Sequence, residues 1–176
     1  MTAYGSISIF VTIYAVQRGF SNVAQFFLCF SVAMVLSRFF SGKLYDQGNI
    51  LLLFLSGHLL SAVGLLWLGY AKNPVHFLFA GTTCALGFGT LMPTSQAAVN
   101  SLVKPHERGS VNSTYLTSYD LGVGVASLTV GFLAERMPIG EIYRYAVLPI
   151  ILSAAIFMLK AIPHYHDHKP GGRLSP

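Results

Sequence analysis

The sequence predicts an integral membrane protein built from α-helices. Of its 176 residues, 53% are hydrophobic and only 10% are charged, whereas soluble domains carry about 25% charged residues. The apolar residues form runs of about 20, long enough to cross the roughly 30 Å of hydrocarbon in a bilayer. These runs do not alternate between polar and apolar positions as spanning strands do. A bundle of membrane-spanning helices is therefore expected.

Six spans are expected, and the short connections between them require neighbouring helices to run antiparallel. Their approximate bounds are 2–17, 23–41, 50–71, 75–100, 110–134 and 143–162. The first span is short, and the sixth is almost wholly aliphatic, which predicts a peripheral position. Residues 1–162 would form one transmembrane domain. The polar residues 163–176, rich in histidine, proline and glycine, would form a disordered cytoplasmic tail.

Basic residues near the span ends predict the orientation. If the N-terminus is cytoplasmic, the cytoplasmic side carries six basic residues: Lys43, Lys104, Arg108, Lys160, Lys169 and Arg173. The other side carries four: Arg18, Lys72, Arg136 and Arg144. Positive charge favours the cytoplasmic side, so both termini are expected there, in the plasma membrane. Arg38, about 6 Å of helix rise from Gly42, is expected to reach the cytoplasmic surface. The basic residues form no stripe, which excludes a nucleic-acid-binding surface.

The first and third spans each carry one polar feature. Tyr4, Ser8 and Thr12 recur every four residues in the first span and therefore share a helix face. The third span contains His58 among leucines. A lone histidine in such a setting is expected to hydrogen-bond a neighbouring helix rather than to relay protons.

The fourth span contains Gly89 and Pro93, which predict a kink, because proline removes a backbone hydrogen bond. Gln96 and Asn100 share a helix face with Pro93. This polar face fits a helix that lines a water-filled route. The alternative, close packing through small residues, explains the glycines but explains the two amides less well.

The fifth span places Asp120 about 16 Å of helix rise beyond Gly109, near the bilayer midplane. Small and polar residues share its face: Ser113, Thr117, Gly124, Ser127 and Gly131. An ionisable residue at this depth costs about 2.5–3.5 kcal/mol on insertion scales and usually faces a cavity or a partner. Asp120 is therefore either a substrate or proton site, or a carboxyl group that only holds helices together.

No pattern in the sequence predicts catalysis or a cofactor. The sequence has no HExxH or GxSxG motif and no loop suited to cradle a phosphate. Cys29 and Cys84 lie inside apolar runs, without the spacing of metal ligands. Neither an enzyme nor a bound metal or cofactor is expected.

The segment GKLYDQGN, residues 42–49, resembles the G-x-L-x-D-R-x-G-R motif that joins two helices in the major facilitator superfamily. Gly42, Leu44 and Asp46 match its first three fixed positions, whereas Gln47 stands in place of an arginine. LVKPHERG is similar to the P-x-x-R-G loop of that family, and YDLGVGVASLTVGFLAE is similar to its glycine-rich eleventh helix. The resemblance extends over about residues 1–162.

This resemblance implies the C-terminal six-helix half of a twelve-helix transporter, built from two inverted three-helix repeats. Spans 1, 2, 4 and 5 would line a cavity, and spans 3 and 6 would lie outside it. An N-terminal half, from the same gene or a separate chain, would complete the molecule. Gly42, Leu44, Asp46 and Arg38 would form a conformational latch, with the carboxylate of Asp46 capping a helix of that other half.

The function implied is transport of a small molecule by alternating access, coupled to protons. The direction stays open between efflux of amphipathic compounds and uptake of a metabolite or sugar. Asp120 would take the proton, and Gln96, Asn100, Tyr115 and Thr117 would line the route with the polar face of the first span. A different hypothesis is a self-standing six-helix membrane protein that binds a partner and transports nothing. A membrane-embedded enzyme would need a catalytic pair, which the spans do not show.

Overall fold

A computed structural model describes residues 1–168, and every regular element within them is helical. In chain order these are α1 (Thr2–Gln17), α2 (Val23–Asp46), α3 (Ile50–Gly69), α4 (Pro74–Ser101), a 3-10 turn (Pro105–Glu107), α5 (Arg108–Ala134), α6 (Ile139–Tyr145), α7 (Val147–Ile156), a π-helical turn (Phe157–Ala161) and α8 (Ile162–His168). Five helical segments are long and apolar enough to cross a membrane: Val23–Asp46, Ile50–Gly69, Pro74–Ser101, Pro105–Ala134 and Ile139–Tyr165.

The first helix has the predicted bounds but not the length of the other spans. With 16 residues, α1 is about 24 Å long, which is short of the roughly 30 Å of hydrocarbon. It runs parallel to α5, beginning level with the middle of that helix: Met1 lies against Gly122, and Gly5 lies against Ala126. The described residues therefore contain five helices of spanning length instead of the six expected.

The second helix is longer than predicted, because SGKLYD forms its last turns instead of a loop. The chain turns only at Gln47–Asn49, where Gly48 has a φ of +80°, a conformation that glycine adopts without strain. Arg38 therefore lies eight residues from the helix end at Asp46, or about 12 Å of rise. The predicted distance of 6 Å between Arg38 and the helix end is wrong, because the prediction took Gly42 as the last residue of the helix.

The fourth helix lies at the centre of the bundle and packs on α2 and α3 through glycines. A Cβ atom on Gly87 would lie 2.8 Å from the carbonyl oxygen of Gly57 in α3. One on Gly89 would lie 2.9 Å from the carbonyl oxygen of Met34 in α2. Such contacts are closer than any side chain allows, so these glycines serve close helix packing. The helix itself continues through Pro93.

His58 joins α3 to α7, as the sequence predicts. Its Nδ1 donates to the carbonyl of Phe54 at 2.7 Å, so Nε2 of the neutral ring accepts from the Ser153 hydroxyl at 3.1 Å. Each buried nitrogen thus has a partner.

The last span differs from the prediction at both ends. Helix begins at Ile139 rather than at residue 143, and the α6 part packs inward, because Tyr143 is fully buried. Helix also continues through His168. The predicted disordered tail is therefore helical over residues 163–168, and residues 169–176 lie outside the described residues. Tyr165 is buried, in a small cluster with Ile50, which explains why this polar segment stays helical.

Candidate functional site

A cavity of about 330 Å³ lies between α1, α2, α4 and α5. Its lining comes from all four helices: Tyr4, Met34, Arg38, Met92, Pro93, Gln96, Tyr115, Leu116 and Tyr119. Helices α3 and α6–α8 contribute no lining residue from the described part of the chain. These four are the helices that the resemblance assigns to a cavity. The structure thus brings the sequence-predicted Tyr4, Gln96 and Tyr115 to one place.

Aromatic rings form one wall of this cavity. Tyr4 contacts Tyr119 with ring centroids 5.9 Å apart, and it meets Phe88 edge-on at 5.6 Å. The ring of Phe30 in α2 lies 6.4 Å from the Tyr4 ring. Aromatic pairs at these distances hold each other in place, so the Tyr4 and Tyr119 rings present a fixed apolar surface.

Another wall is the part of α4 from Met92 onward, and hydrogen bonds tie it to α5. The hydroxyl of Tyr115 donates to the carbonyl of Met92 at 2.9 Å. The side-chain amides of Gln96 and Asn100 both donate to Oδ1 of Asn112, at 3.1 Å and 2.9 Å. Gln96 and Asn100 therefore connect α4 to α5, and Gln96 also lines the cavity.

Asn112 was not predicted as a functional residue. The signal available was its position one turn into α5, just after the short connection that follows Asn100. Antiparallel helices joined by a short connection bring the end of one beside the start of the next. A polar residue at each of these two positions therefore predicts a contact, although not its geometry.

A second cavity of about 320 Å³ continues the first along α2 and α4. The two share Arg38 and Pro93, and the second reaches the motif residues Gly42 and Asp46. Arg38 therefore stands between the two cavities. Among the described residues, neither Arg38 nor Asp46 has an ion-pair partner.

Besides Asn100, four residues of the predicted route do not line the first cavity. Thr117 and Ser8 are exposed, and their hydroxyls bond their own helices, to Ser113 at 2.8 Å and to Tyr4 at 3.1 Å. Thr12 is exposed on the same face of α1 as Ser8. Asp120 is the fourth.

Asp120 is exposed on α5, with no hydrogen bond or ion pair to any described residue. It follows Tyr119, whose ring lines the cavity. It also lies one turn after Leu116, another lining residue, so it continues the cavity-facing side of α5 one turn beyond the lining itself.

The predicted latch residues have few neighbours within this chain. A Cβ atom on Gly42 would meet no atom within 4 Å, so no described helix approaches there. Leu44 is half-buried and Asp46 is exposed. Tyr45, between them, lies with its hydroxyl oxygen 3.4 Å from that of Tyr165 in α8. The end of the last helix thus contacts the motif.

Comparison with known proteins agrees with these features. A model of the Major Facilitator Superfamily matches residues 1–127. The chain is 26% identical over 172 residues to an uncharacterized MFS-type transporter of Pseudomonas aeruginosa, covering 96% of this chain and 41% of that protein. It is 25% identical over 154 residues to one of Burkholderia mallei, covering 87% of this chain and 38% of that protein. No solved structure matches the chain.

The chain spans about two fifths of the length of these curated relatives. The family match nevertheless covers well over half of its residues. The all-helical bundle and the five helices of spanning length agree with that match. This multi-pass membrane protein belongs to the major facilitator superfamily.

Proposed function

We propose that this chain is the C-terminal six-helix unit of a proton-coupled secondary transporter. The observation that carries the proposal is the cavity between α1, α2, α4 and α5, with polar groups on an otherwise apolar wall. Ligand sites in transporters lie near the bilayer midplane, at the interface between repeats. In this account the cavity faces a second six-helix unit, and the two units rock against each other around the substrate.

The arrangement in the membrane is part of the same proposal. Helices α1–α3 and α4–α8 would be the two inverted repeats, with both termini in the cytoplasm and the plasma membrane as the location. Asp46 and Gly42 would meet the other unit, because no described helix of this chain approaches Gly42. Substrate would move in the direction that the coupled proton gradient drives.

Asp120 is the proposed proton carrier. Its carboxylate is exposed, it has no partner in the described part of the chain, and it follows a residue that lines the cavity. A carboxylate near the midplane without a partner is costly, and protonation removes its charge. Tyr115, Gln96 and Asn100 would then shape the route, while Thr117, Ser8 and Thr12 would face the second unit.

Proton movement in membrane vesicles tests this role. Vesicles that contain the complete transporter would be loaded with a pH-sensitive dye and exposed in turn to a panel of small organic anions, cations and sugars. A transported compound produces a proton flux. In the Asp120→Asn variant that flux should be lost, because the amide cannot take up a proton. Glu135→Gln, which neutralises an exposed carboxylate just past the end of the same helix, should keep it.

An unchanged flux in Asp120→Asn would remove Asp120 from the mechanism. Absence of a flux with every compound, in vesicles where the protein is present and correctly inserted, would contradict proton-coupled transport of these compound classes.

A further inference from the structure

Among the described residues, Arg38 is the one charged residue that lines the 330 Å³ cavity, and it also lines the adjoining cavity. It lies about 12 Å of helix rise from the end of α2. An arginine within a helix of spanning length is costly and usually faces a cavity or a partner. Its side chain is exposed in this chain, so its charge is directed toward open space rather than into the bundle.

The carboxylates nearby leave this charge uncompensated. Asp46 lines only the adjoining cavity, eight residues further along α2, and makes no ion pair with Arg38. Asp120 does not line the cavity at all. In the part of the chain that the structure describes, the cavity lining is therefore net positive and includes no acidic side chain.

The remaining lining suits a flat apolar group. Besides Arg38 and Gln96, the cavity is lined by three tyrosine rings, two methionines, a leucine and a proline: Tyr4, Tyr115, Tyr119, Met34, Met92, Leu116 and Pro93. The Tyr4 and Tyr119 rings are 5.9 Å apart and tilted at 51° to each other. Aromatic ligands pack well against such rings, and methionine adapts to their shape.

We infer that the substrate of this cavity is an aromatic or otherwise flat apolar compound that carries one carboxylate or a similar anionic group. The Arg38 guanidinium binds the anionic group through two parallel N–H bonds, and the tyrosine wall binds the ring. The inference rests on the proposed transport function and narrows it to a class of substrate. Arg38 is thus assigned to substrate binding, rather than to the latch at the end of α2.

Binding of three probes with the same ring tests the assignment: 2-naphthoate, 2-naphthol and 2-naphthylmethylamine, which are anionic, neutral and cationic at pH 7. Each is titrated by calorimetry into the complete transporter in lipid nanodiscs. Naphthoate should bind most tightly. Arg38→Gln should weaken naphthoate binding by about tenfold or more, because hydrogen bonds to charged groups contribute about 1.5–3 kcal/mol, while binding of the neutral probe should not change.

Lys43→Gln is the matched control, since it removes a positive charge from the same helix at a residue that lines neither cavity. It should leave naphthoate binding unchanged. Arg38→Lys should give an intermediate affinity, because lysine keeps the charge but not the paired donors. This second variant also covers the case in which Arg38→Gln does not fold.

Equal binding of naphthoate to wild type and Arg38→Gln, or tighter binding of the cation than of the anion, would overturn the anionic class and leave the transport proposal standing. Arg38 would then serve only to reach the membrane surface or to pair with the other unit. Failure of all three probes to bind wild type at millimolar concentration would overturn the inference about the ring as well. The transport proposal falls separately, on the proton-flux measurement.

Discussion

A single amide oxygen, that of Asn112, holds α4 and α5 together near their connection. It accepts hydrogen bonds from Gln96 and Asn100 at 3.1 Å and 2.9 Å. Both bonds, and the Tyr115 bond to Met92, involve the end of α4 from Met92 onward. This end of α4 is therefore coupled to the start of α5, on one wall of the cavity.

Removing this oxygen should loosen the wall. Interhelical hydrogen bonds in membrane proteins contribute about 0.6 kcal/mol each on average, so Asn112→Ala should lower the free energy of unfolding by about 1 kcal/mol, measured by titration with a denaturing detergent. Ser113→Ala is the control, because that exposed hydroxyl bonds only the backbone of its own helix. Equal effects of the two substitutions would contradict the role given to Asn112.

The role of a polar residue could be predicted from the sequence when its side chain needed a hydrogen-bond partner that a neighbouring helix could supply. His58 is an example, since a lone histidine among leucines must bond across helices, and it does so with Ser153. Asn112 was missed because its importance depends on which residue of α4 lies opposite. Arg38 was assigned to the cytoplasmic surface, and its place in the cavity follows from packing that the sequence does not encode locally.

At the scale of helices, the closest packing occurs where α4 presents glycine to its neighbours. Gly87 faces α3, and Gly89 faces α2 through the backbone of Met34. The backbone cannot move aside as a flexible side chain can. These two contacts therefore fix the spacing of three helices that position the cavity.

A methyl group at Gly89 should push α2 away from α4. Overpacking of this kind typically costs about 1–3 kcal/mol, so Gly89→Ala should lower the midpoint of detergent-induced or thermal unfolding. Gly124→Ala on α5 is the matched control, because a Cβ atom there would meet nothing within 4 Å. If the two alanine variants unfold at the same midpoint, the close packing of Gly89 on α2 contributes nothing to stability.

The hydrophobic runs predicted where each helix lies, but they did not predict where each helix ends. The helix ends depend on single residues and on tertiary contacts. α2 continues past Gly42, because one glycine costs a helix only about 1 kcal/mol and the next four residues still form helix. Gly48, with its positive φ, marks the true end. At the other terminus, burial of Tyr165 beside Ile50 keeps a polar segment helical, and this contact is not visible in composition.

For the whole molecule, the composition predicted a membrane protein, because 10% charged residues cannot cover a soluble fold of this size. The length of the apolar runs predicted that its spans are helices. The motif and the two neighbouring landmarks predicted the family. The cavity itself needed the tertiary structure, since its nine lining residues come from four helices and from positions 4 to 119. Whether water reaches this surface distinguishes a transporter from a protein that only binds a partner.

Reaction of single cysteines with a charged, membrane-impermeant maleimide in native membranes is the most direct test. With Cys29 and Cys84 replaced by alanine, Leu116→Cys places a thiol in the cavity, and Leu152→Cys places one on the exposed face of α7. Both leucines are more than half exposed, at 52% and 62%, so exposure alone does not separate them. The thiol of Leu116→Cys should react rapidly, whereas that of Leu152→Cys, which would face lipid, should not react. Absence of labelling at Leu116→Cys, or equal labelling at both positions, would contradict a water-filled transport route between α1, α2, α4 and α5.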